Sequence, residues 1–580
     1  SVVQMTSHEG HTWRLIVDYM DEVRSKINSG CIHLESWQVA SYTLSFVFLV
    51  LYILDLAASE KGIVERIRAR IFYILRSLPW VRRRLDEDLA RAKKELEDEV
   101  HLFDVTRDFY KFIPERGLGR DEIKAEAELY RSMGNKRKEL LSERKTGGIV
   151  NDISSLFGGM NSRDSQSFPG CRKMESEIVR MCVSLFHGGS QSMGVVVPSV
   201  AESLVAALSS ARSLSIRHSI IHPTILTSIA AAPSLFHAAK LLGMRVNVIP
   251  SKRDGNVEVS TLKRFITSQT ALISLSAPNH STGTCDAIDS IAKVALRYNI
   301  PLHVDCSMGG LILPFLELCD YHVSSFDFRL PGVSSISIDL SRFSPTPSSC
   351  ALTLFRDEQM MKASIFSDIP DWPGGMYSSP SISDALDGSA VAATWATLLS
   401  TGKSGFMEIA QTVVEATKKL ATLLADIQGI TILGSADTVM VAFETENAYD
   451  IYHIIEVMRS KGWPLHPLVS PPAATFTMTI QMAKDSVIDA FLDDLDTILA
   501  QLHNNPHLGE NSSTRAFHHL IATAPDRWLV SELATERALA HYSIPLPPDN
   551  RKSLRTFSVE GRKLSMVSDV MERRRDMSRE

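Results

Sequence analysis

Ile300-Pro301-Leu302-His303-Val304-Asp305 reads as a short apolar strand that closes on a carboxylate. Similar runs lie on either side of it. Val195-Val196-Val197, Arg245 to Pro250 (RVNVIP), Ala271 to Ser276 (ALISLS), Ser335 to Asp339 (SISID) and Cys350 to Phe355 (CALTLF) are short runs that read as strands in the same way. Helical segments separate them. Continuous apolar strands alternating with helices imply a mostly parallel sheet covered on both faces, so the expected fold class is α/β. In such sheets ligands bind outside the carboxyl ends of the strands, where Asp305 lies. The plainer reading of Asp305 is a helix-capping residue before the Gly309-Gly310 turn.

Outward from this core, the large domain is expected over residues 151–404. A smaller α+β domain follows over 405–503, with strands at Thr431 to Leu433, Thr438 to Phe443 and Thr475 to Gln481. Its helices are expected at Asp450 to Lys461 and Asp485 to Leu502. Residues 504–580 form a tail with one helix, Asp526 to Ala540. After Pro545 the tail is basic and polar, a composition that favours partial disorder. The chain has 580 residues, 44% of them hydrophobic and 22% charged, with a formal net charge of −6. This balance is globular and gives no basic surface for nucleic acid. Seven scattered cysteines include no CxxC pair and no zinc spacing, so no metal site is expected and the thiols read as reduced.

The N-terminal part departs from the globular pattern. Trp37 to Ala58 (WQVASYTLSFVFLVLYILDLAA) carries one charge, Asp55. About 20 apolar residues are needed to cross a bilayer as a helix. Residues 37–58 are therefore expected to form a single transmembrane helix, with a lumenal segment over 1–36. A dense run of Arg and Lys follows between Lys61 and Arg84, which places the large C-terminal part in the cytosol. Ile63 to Leu85 reads as a basic amphipathic helix on an anionic membrane surface, interrupted at Pro79. The rest of 59–150 is a helical neck, with charge-rich helices at Asp86 to Val100 and Arg120 to Glu143.

Several motifs occur together and in order. They are Phe168-Pro169-Gly170-Cys171-Arg172-Lys173-Met174-Glu175, Pro301-Leu302-His303-Val304-Asp305 with Gly309-Gly310, Phe326-Asp327-Phe328-Arg329, and Trp372-Pro373-Gly374-Gly375-Met376-Tyr377-Ser378-Ser379-Pro380. With these the chain closely resembles the sphingosine-1-phosphate lyase family of fold-type-I pyridoxal-phosphate enzymes, over nearly its whole length. The resemblance implies a fold-type-I large domain, a dimer with sites at the subunit interface, and a single-span anchor in the endoplasmic reticulum. The family cleaves phosphorylated sphingoid bases to a long-chain aldehyde and phosphoethanolamine. It uses a lysine that holds the cofactor, an aspartate on the pyridinium nitrogen, a histidine on the ring, and a Gly-Thr-rich phosphate cradle.

Carried onto this chain, the aspartate falls on Asp305 and the lysine on Arg342, in Leu340-Ser341-Arg342. Arginine keeps its charge and cannot form a Schiff base, and no lysine occurs between Lys293 and Lys362. The cradle falls on Pro198-Ser199-Val200-Ala201-Glu202-Ser203, where Ser199 and Val200 replace glycines and Ala201 replaces a threonine. The stacking histidine falls on Ala232, with His237 nearby as a helix histidine. Asn161 to Gln166 lacks the histidine and prolines of the family's substrate loop. Asp384-Ala385-Leu386-Asp387-Gly388-Ser389 stands where the family has Gly-Ser-Arg-Pro-Gly-Gly, which puts two carboxylates near a phosphate position.

These departures lead to the expectation of a pseudoenzyme without covalent pyridoxal phosphate, pairing as a homodimer or with an active relative. Two alternatives stand beside it. One is an active lyase. The other is a non-catalytic lipid-phosphate binder in which Arg342 and Ser341 hold an anion, against the plainer reading of Arg342 as a buried ion pair with Asp305 or Asp339.

Overall fold

The computed structural model describes residues 148–505 with short gaps at 254, 345, 347–349, 368–370, 372, 376 and 447–448. It also describes 71–100 except 73, 119–132, 513–524, 527–542, and isolated positions at 35, 38, 41–47, 137 and 140. The stretch expected to cross a membrane, 37–58, lies mostly outside these residues. Positions 38 and 41–47 of it are helical. Among the described residues no helix is long and apolar enough to cross a membrane. The tail beyond 542 also lies outside the described residues.

The chain forms two compact units, Ser1–Leu96 with Ala524–His541, and Glu97–Thr523 with Tyr542–Glu580. Helix α1 (Pro79–Val100) starts at the proline expected to interrupt a helix, because proline suits a first turn and not an interior. Within the expected helix at 120–143 the described residues include α2 (Arg120–Ser132), and most of 133–147 lies outside the described residues; α3 (Gly148–Leu156) comes later in the chain.

In the second unit α4 (Pro169–Leu185) leads into β1 (Met193–Val197), α5 (Val200–Arg217), β2 (Thr224–Ser228), α6 (Pro233–Leu241) and β3 (Arg245–Ile249). Next come α7 (Val259–Phe265), β4 (Thr270–Ser276), α8 (Ile288–Tyr298), β5 (Leu302–Cys306) and α9 (Leu313–Leu318). Then β6 (Val333–Asp339), β7 (Ala351–Phe355) and α10 (Glu358–Ser364) complete the main sheet. Its order is β1-β7-β6-β5-β4-β2-β3. Strand β7 runs antiparallel to β6 and to β1, and the other pairs are parallel. All six expected strands of this sheet are present. The sequence reading missed β2, whose Thr-Ile-Leu-Thr-Ser run has polar residues at both ends.

Both faces of the sheet are covered. Val304, Leu302 and Cys306 of β5 pack with Ile178 of α4 on one face. Leu204 and Leu208 of α5 and Leu235 of α6 pack with Ile225 and Leu272 on the other. Each such side chain stabilises by about 1.5–3 kcal/mol on burial. His303 and Asp305 alternate with the apolar residues of β5 and so face the α5 side.

Helix α11 (Gly388–Ala425) runs through position 404 and kinks at Gly402, where φ is 60° and ψ is 178°. Beyond it, β8 (Ile430–Leu433), β9 (Met440–Thr445), α12 (Ile451–Ser460), β10 (Leu465–Val469), β11 (Pro472–Thr477) and α13 (Asp485–Asn504) form a four-stranded antiparallel sheet with two helices. Strand β10 was not expected, since Pro464 and Pro467 mask it. Strand β11 also starts and ends earlier than the expected run. Helix α14 (Ser513–Thr523) was not anticipated either, whereas α15 (Arg527–Ala540) was.

Candidate functional site

The turns after β1, β2, β4, β5 and β6 all leave the same edge of the sheet, and they carry the residues singled out above. Register aligns Ser276, Asp305, Ser337 and Thr353 across four neighbouring strands. Thr353 donates to the Ser203 carbonyl of α5 at 2.8 Å, which fixes this polar row beneath α5. The turn after Asp305 needs glycine. A Cβ on Gly310 would lie 2.4 Å from Ile338 Cγ2, and one on Gly309 would lie 3.0 Å from the Ala277 carbonyl oxygen. The β4 and β5 turns are therefore held close together.

Asp305 is almost wholly buried. Its Oδ1 accepts from the Ser307 backbone N–H at 2.9 Å. His280 Nε2 lies 3.6 Å from Asp305 Oδ2 and 3.0 Å from Ser307 Oγ. Burial alone would raise the Asp305 carboxyl, but the bonds and charge from His280 and Ser307 outweigh it and hold the carboxyl below its ordinary range. Two residues back, His303 is fully buried with Nδ1 2.9 Å from Ser335 Oγ. Burial pushes its imidazole down to about 4, against a smaller pull from Asp305, so His303 is neutral.

Arg342 follows β6 and is not buried. Its side chain is 41% exposed, and its Nε lies 3.8 Å from Asp339 Oδ2. A half-exposed pair at that distance is worth at most about 1 kcal/mol. Asp339 Oδ1 also accepts from the Ser341 N–H at 3.0 Å and hydroxyl at 2.6 Å. Of the two aspartates considered for Arg342, the structure pairs it with Asp339 and leaves Asp305 to His280.

The cradle positions are occupied by ordinary helix-start chemistry. Ser199 is the N-cap of α5, and its hydroxyl accepts from the Glu202 N–H at 3.3 Å. Val200 packs its side chain against two apolar clusters, and Ala201 is exposed and offers no hydroxyl. Glu202 Oε1 accepts from Ser383 Oγ at 2.6 Å, and its Oε2 is buried without a partner. The positive end of α5 thus already has its own carboxylate. Ala232 is buried at the start of α6 and presents only a methyl, while His237 sits on the exposed face of that helix.

The two substrate-side segments are bonded to each other. Asn161 Oδ1 accepts from the Leu386 N–H at 3.0 Å, and the Ser162 N–H donates to the Leu386 carbonyl at 2.9 Å. Arg163 donates to Glu175 Oε1 at 2.9 Å and to the Val196 carbonyl at 2.6 Å, and approaches Ser381 Oγ at 3.5 Å. Burial raises the Glu175 carboxyl above its usual range, against the pull of Arg163. Asp384 and Asp387 are exposed, and their roles are local. Asp384 accepts from Tyr377 and Asp387 caps α11.

This donor set does not fit a covalently held pyridoxal phosphate. Asp305 is present, but Arg342 has no neutral amine to offer, and the α5 N-terminus is capped by Ser199 and carries the unpartnered Glu202 oxygen. Of the residues named from the sequence, Asp305, Ser341 and Arg342 lie at the carboxyl edge of the sheet. Sequence reasoning missed His280 and Arg163. A histidine four residues beyond the end of β4 was the available signal for the first, and an arginine in an altered loop for the second.

The pyridoxal-dependent decarboxylase conserved domain matches residues 138–446, more than half of the chain. Rat sphingosine-1-phosphate lyase 1 is 30% identical over 525 residues, covering 89% of this chain and 92% of the relative. The Dictyostelium discoideum sphingosine-1-phosphate lyase is 30% identical over 489 residues, covering 83% and 91%. Among solved structures, the sphingosine-1-phosphate lyase of Burkholderia pseudomallei K96243 superposes with a TM-score of 0.64 at 28% identity, over 71% of this chain and 96% of that one.

Proposed function

Because the chain belongs to the sphingosine-1-phosphate lyase family of pyridoxal-dependent decarboxylases, we propose that it is a catalytically impaired member that acts by association rather than by carbon–carbon cleavage. The observation that carries this reading is Arg342. A Schiff base needs an amine that can lose its proton, and a guanidinium paired with Asp339 does not supply one. The capped α5 N-terminus supports the same reading. An anion-binding role for Arg342 and Ser341 is less favoured, because Asp339 engages both.

The remaining parts of the proposal rest on the sequence. The apolar stretch 37–58 and the arginines after it support a single-pass membrane protein with its large part in the cytosol, and the family resemblance supports the endoplasmic reticulum as that membrane. There it pairs with a second copy or with an active lyase, and it bears on sphingolipid metabolism through that partner.

The test is chemical. The purified full-length chain is mixed with pyridoxal phosphate, reduced with borohydride and mapped by peptide mass. No modified lysine is expected, and aldehyde release from a phosphorylated sphingoid base should stay at background in both the wild type and Arg342→Lys. A stoichiometrically trapped lysine, or cleavage recovered by Arg342→Lys alone, sinks the proposal.

A further inference from the structure

Asp305 is a buried carboxylate, and among the described residues its ion-pair partner is His280. A buried charge left without a partner costs several kcal/mol in real proteins, so a chain that keeps Asp305 must satisfy it in some way. From this geometry we infer that His280 is the partner this chain supplies to Asp305 where a cofactor would offer its ring nitrogen, and that the imidazole thereby excludes pyridoxal phosphate from the site. The inference rests on the functional reading above and names the residue responsible.

The local structure holds His280 in that role. Asn279 Oδ1 accepts from the Ser281 N–H at 3.1 Å and the Thr282 N–H at 2.8 Å, which makes a tight turn around the histidine. The His280 backbone N–H donates to the Ala230 carbonyl at 3.3 Å, tying this turn to the one after β2. The ring then reaches both Ser307 Oγ and the Asp305 carboxylate. Asp305 Oδ1 accepts from the Ser307 N–H, and the imidazole Nε2 stands 3.6 Å from Oδ2. A pyridinium N–H seeking the same carboxylate would have to displace the His280 ring from beside Oδ2.

Pyridoxine phosphate tests this without interference from any lysine, because it has no aldehyde. Its binding to the full-length chain in detergent is followed by calorimetry for the wild type, His280→Ala, His280→Phe and His280→Ala/Asp305→Asn. Removing the competing contact should tighten binding by roughly tenfold or more in both single variants, and the gain should vanish in the double variant. Two substitutions of different size guard against a folding defect in one of them. Equal affinity in wild type and single variants, including no measurable binding in any of them, overturns the inference. A lysine trapped by borohydride in the His280 variants but not in the wild type would instead count against the pseudoenzyme reading and leave the role of His280 standing.

Discussion

Replacing Arg163 by methionine removes the ion-pair partner of Glu175 while keeping much of the aliphatic volume. The two side chains are 16% and 14% exposed, so the pair is largely out of water. Breaking a buried pair by removing one partner costs about 3–5 kcal/mol. Glu175 keeps the bond from Ser162 Oγ at 3.0 Å, while the Val196 carbonyl loses its donor. These opposing details place the expected loss near about 3 kcal/mol. The pH dependence has a definite sign. Glu175 has a folded-state pKa above its ordinary value, so its ionised form costs stability at neutral pH and that cost disappears once the carboxyl is protonated in both states. Without Arg163 the carboxyl rises further. The defect should therefore be largest near neutrality and shrink as the pH falls toward about 4.3, the ordinary glutamate value. Urea unfolding of the full-length protein, run near neutrality and at mildly acidic pH with Glu175→Gln and the double variant, reads all of this. A loss below about 1 kcal/mol, or one that persists undiminished in the Glu175→Gln background, would refute the reasoning.

Two further predictions concern buried groups. His303 is pushed from 6.5 down to about 4 by burial, so the unfolded chain takes up the proton first as the pH drops. Stability should be complete above pH 6.5 and fall by about 3 kcal/mol on the way to pH 4, and His303→Gln should flatten that slope in acid-unfolding curves. A wild-type curve already flat across this window counts against the assignment. A Cβ at Gly332 would lie 2.1 Å from the Ala292 carbonyl oxygen, which is backbone and has little room to move. Gly332→Ala should destabilise by about 3 kcal/mol or more, seen as a lower urea midpoint, and wild-type stability would mean that α8 shifts freely.

The main sheet was legible because its strands are nearly continuous apolar runs, and such runs need no knowledge of their partners. Strands β2 and β10 escaped for local reasons. Thr224 and Ser228 make the first look like a loop, and Pro467 removes a donor from the second. Asp305 was legible because it closes a recognisable strand, and Arg342 because the family resemblance puts a lysine at that position just beyond another strand. His280 was not, since its significance depends on how closely the β4 turn approaches the β5 turn, and Gly309 sets that approach through space. Arg163 was hidden for a similar reason. Its contacts at Glu175, Val196 and Ser381 are 12, 33 and 218 residues away.

The position of the family's loop arginine shows why single reversions should not suffice. That position is Leu386, which is buried in the main apolar cluster while its backbone bonds to Asn161 and Ser162. An arginine placed there would carry its charge into an apolar site, at a cost that only a new partner could offset. The chain does hold an arginine close by, but Arg163 directs its guanidinium to Glu175 and the Val196 carbonyl. Freeing that guanidinium for a phosphate would leave Glu175 as an unpaired buried carboxylate, with the partly unpartnered Glu202 already at the start of α5. A phosphate carries about −1.5 to −2 charge at neutral pH, so it would enter beside Glu175 and Glu202 with the nearby Arg163 already committed. Recovery of an anion site therefore requires coupled changes at Arg163, Leu386 and the α5 turn, and Arg342→Lys addresses none of them.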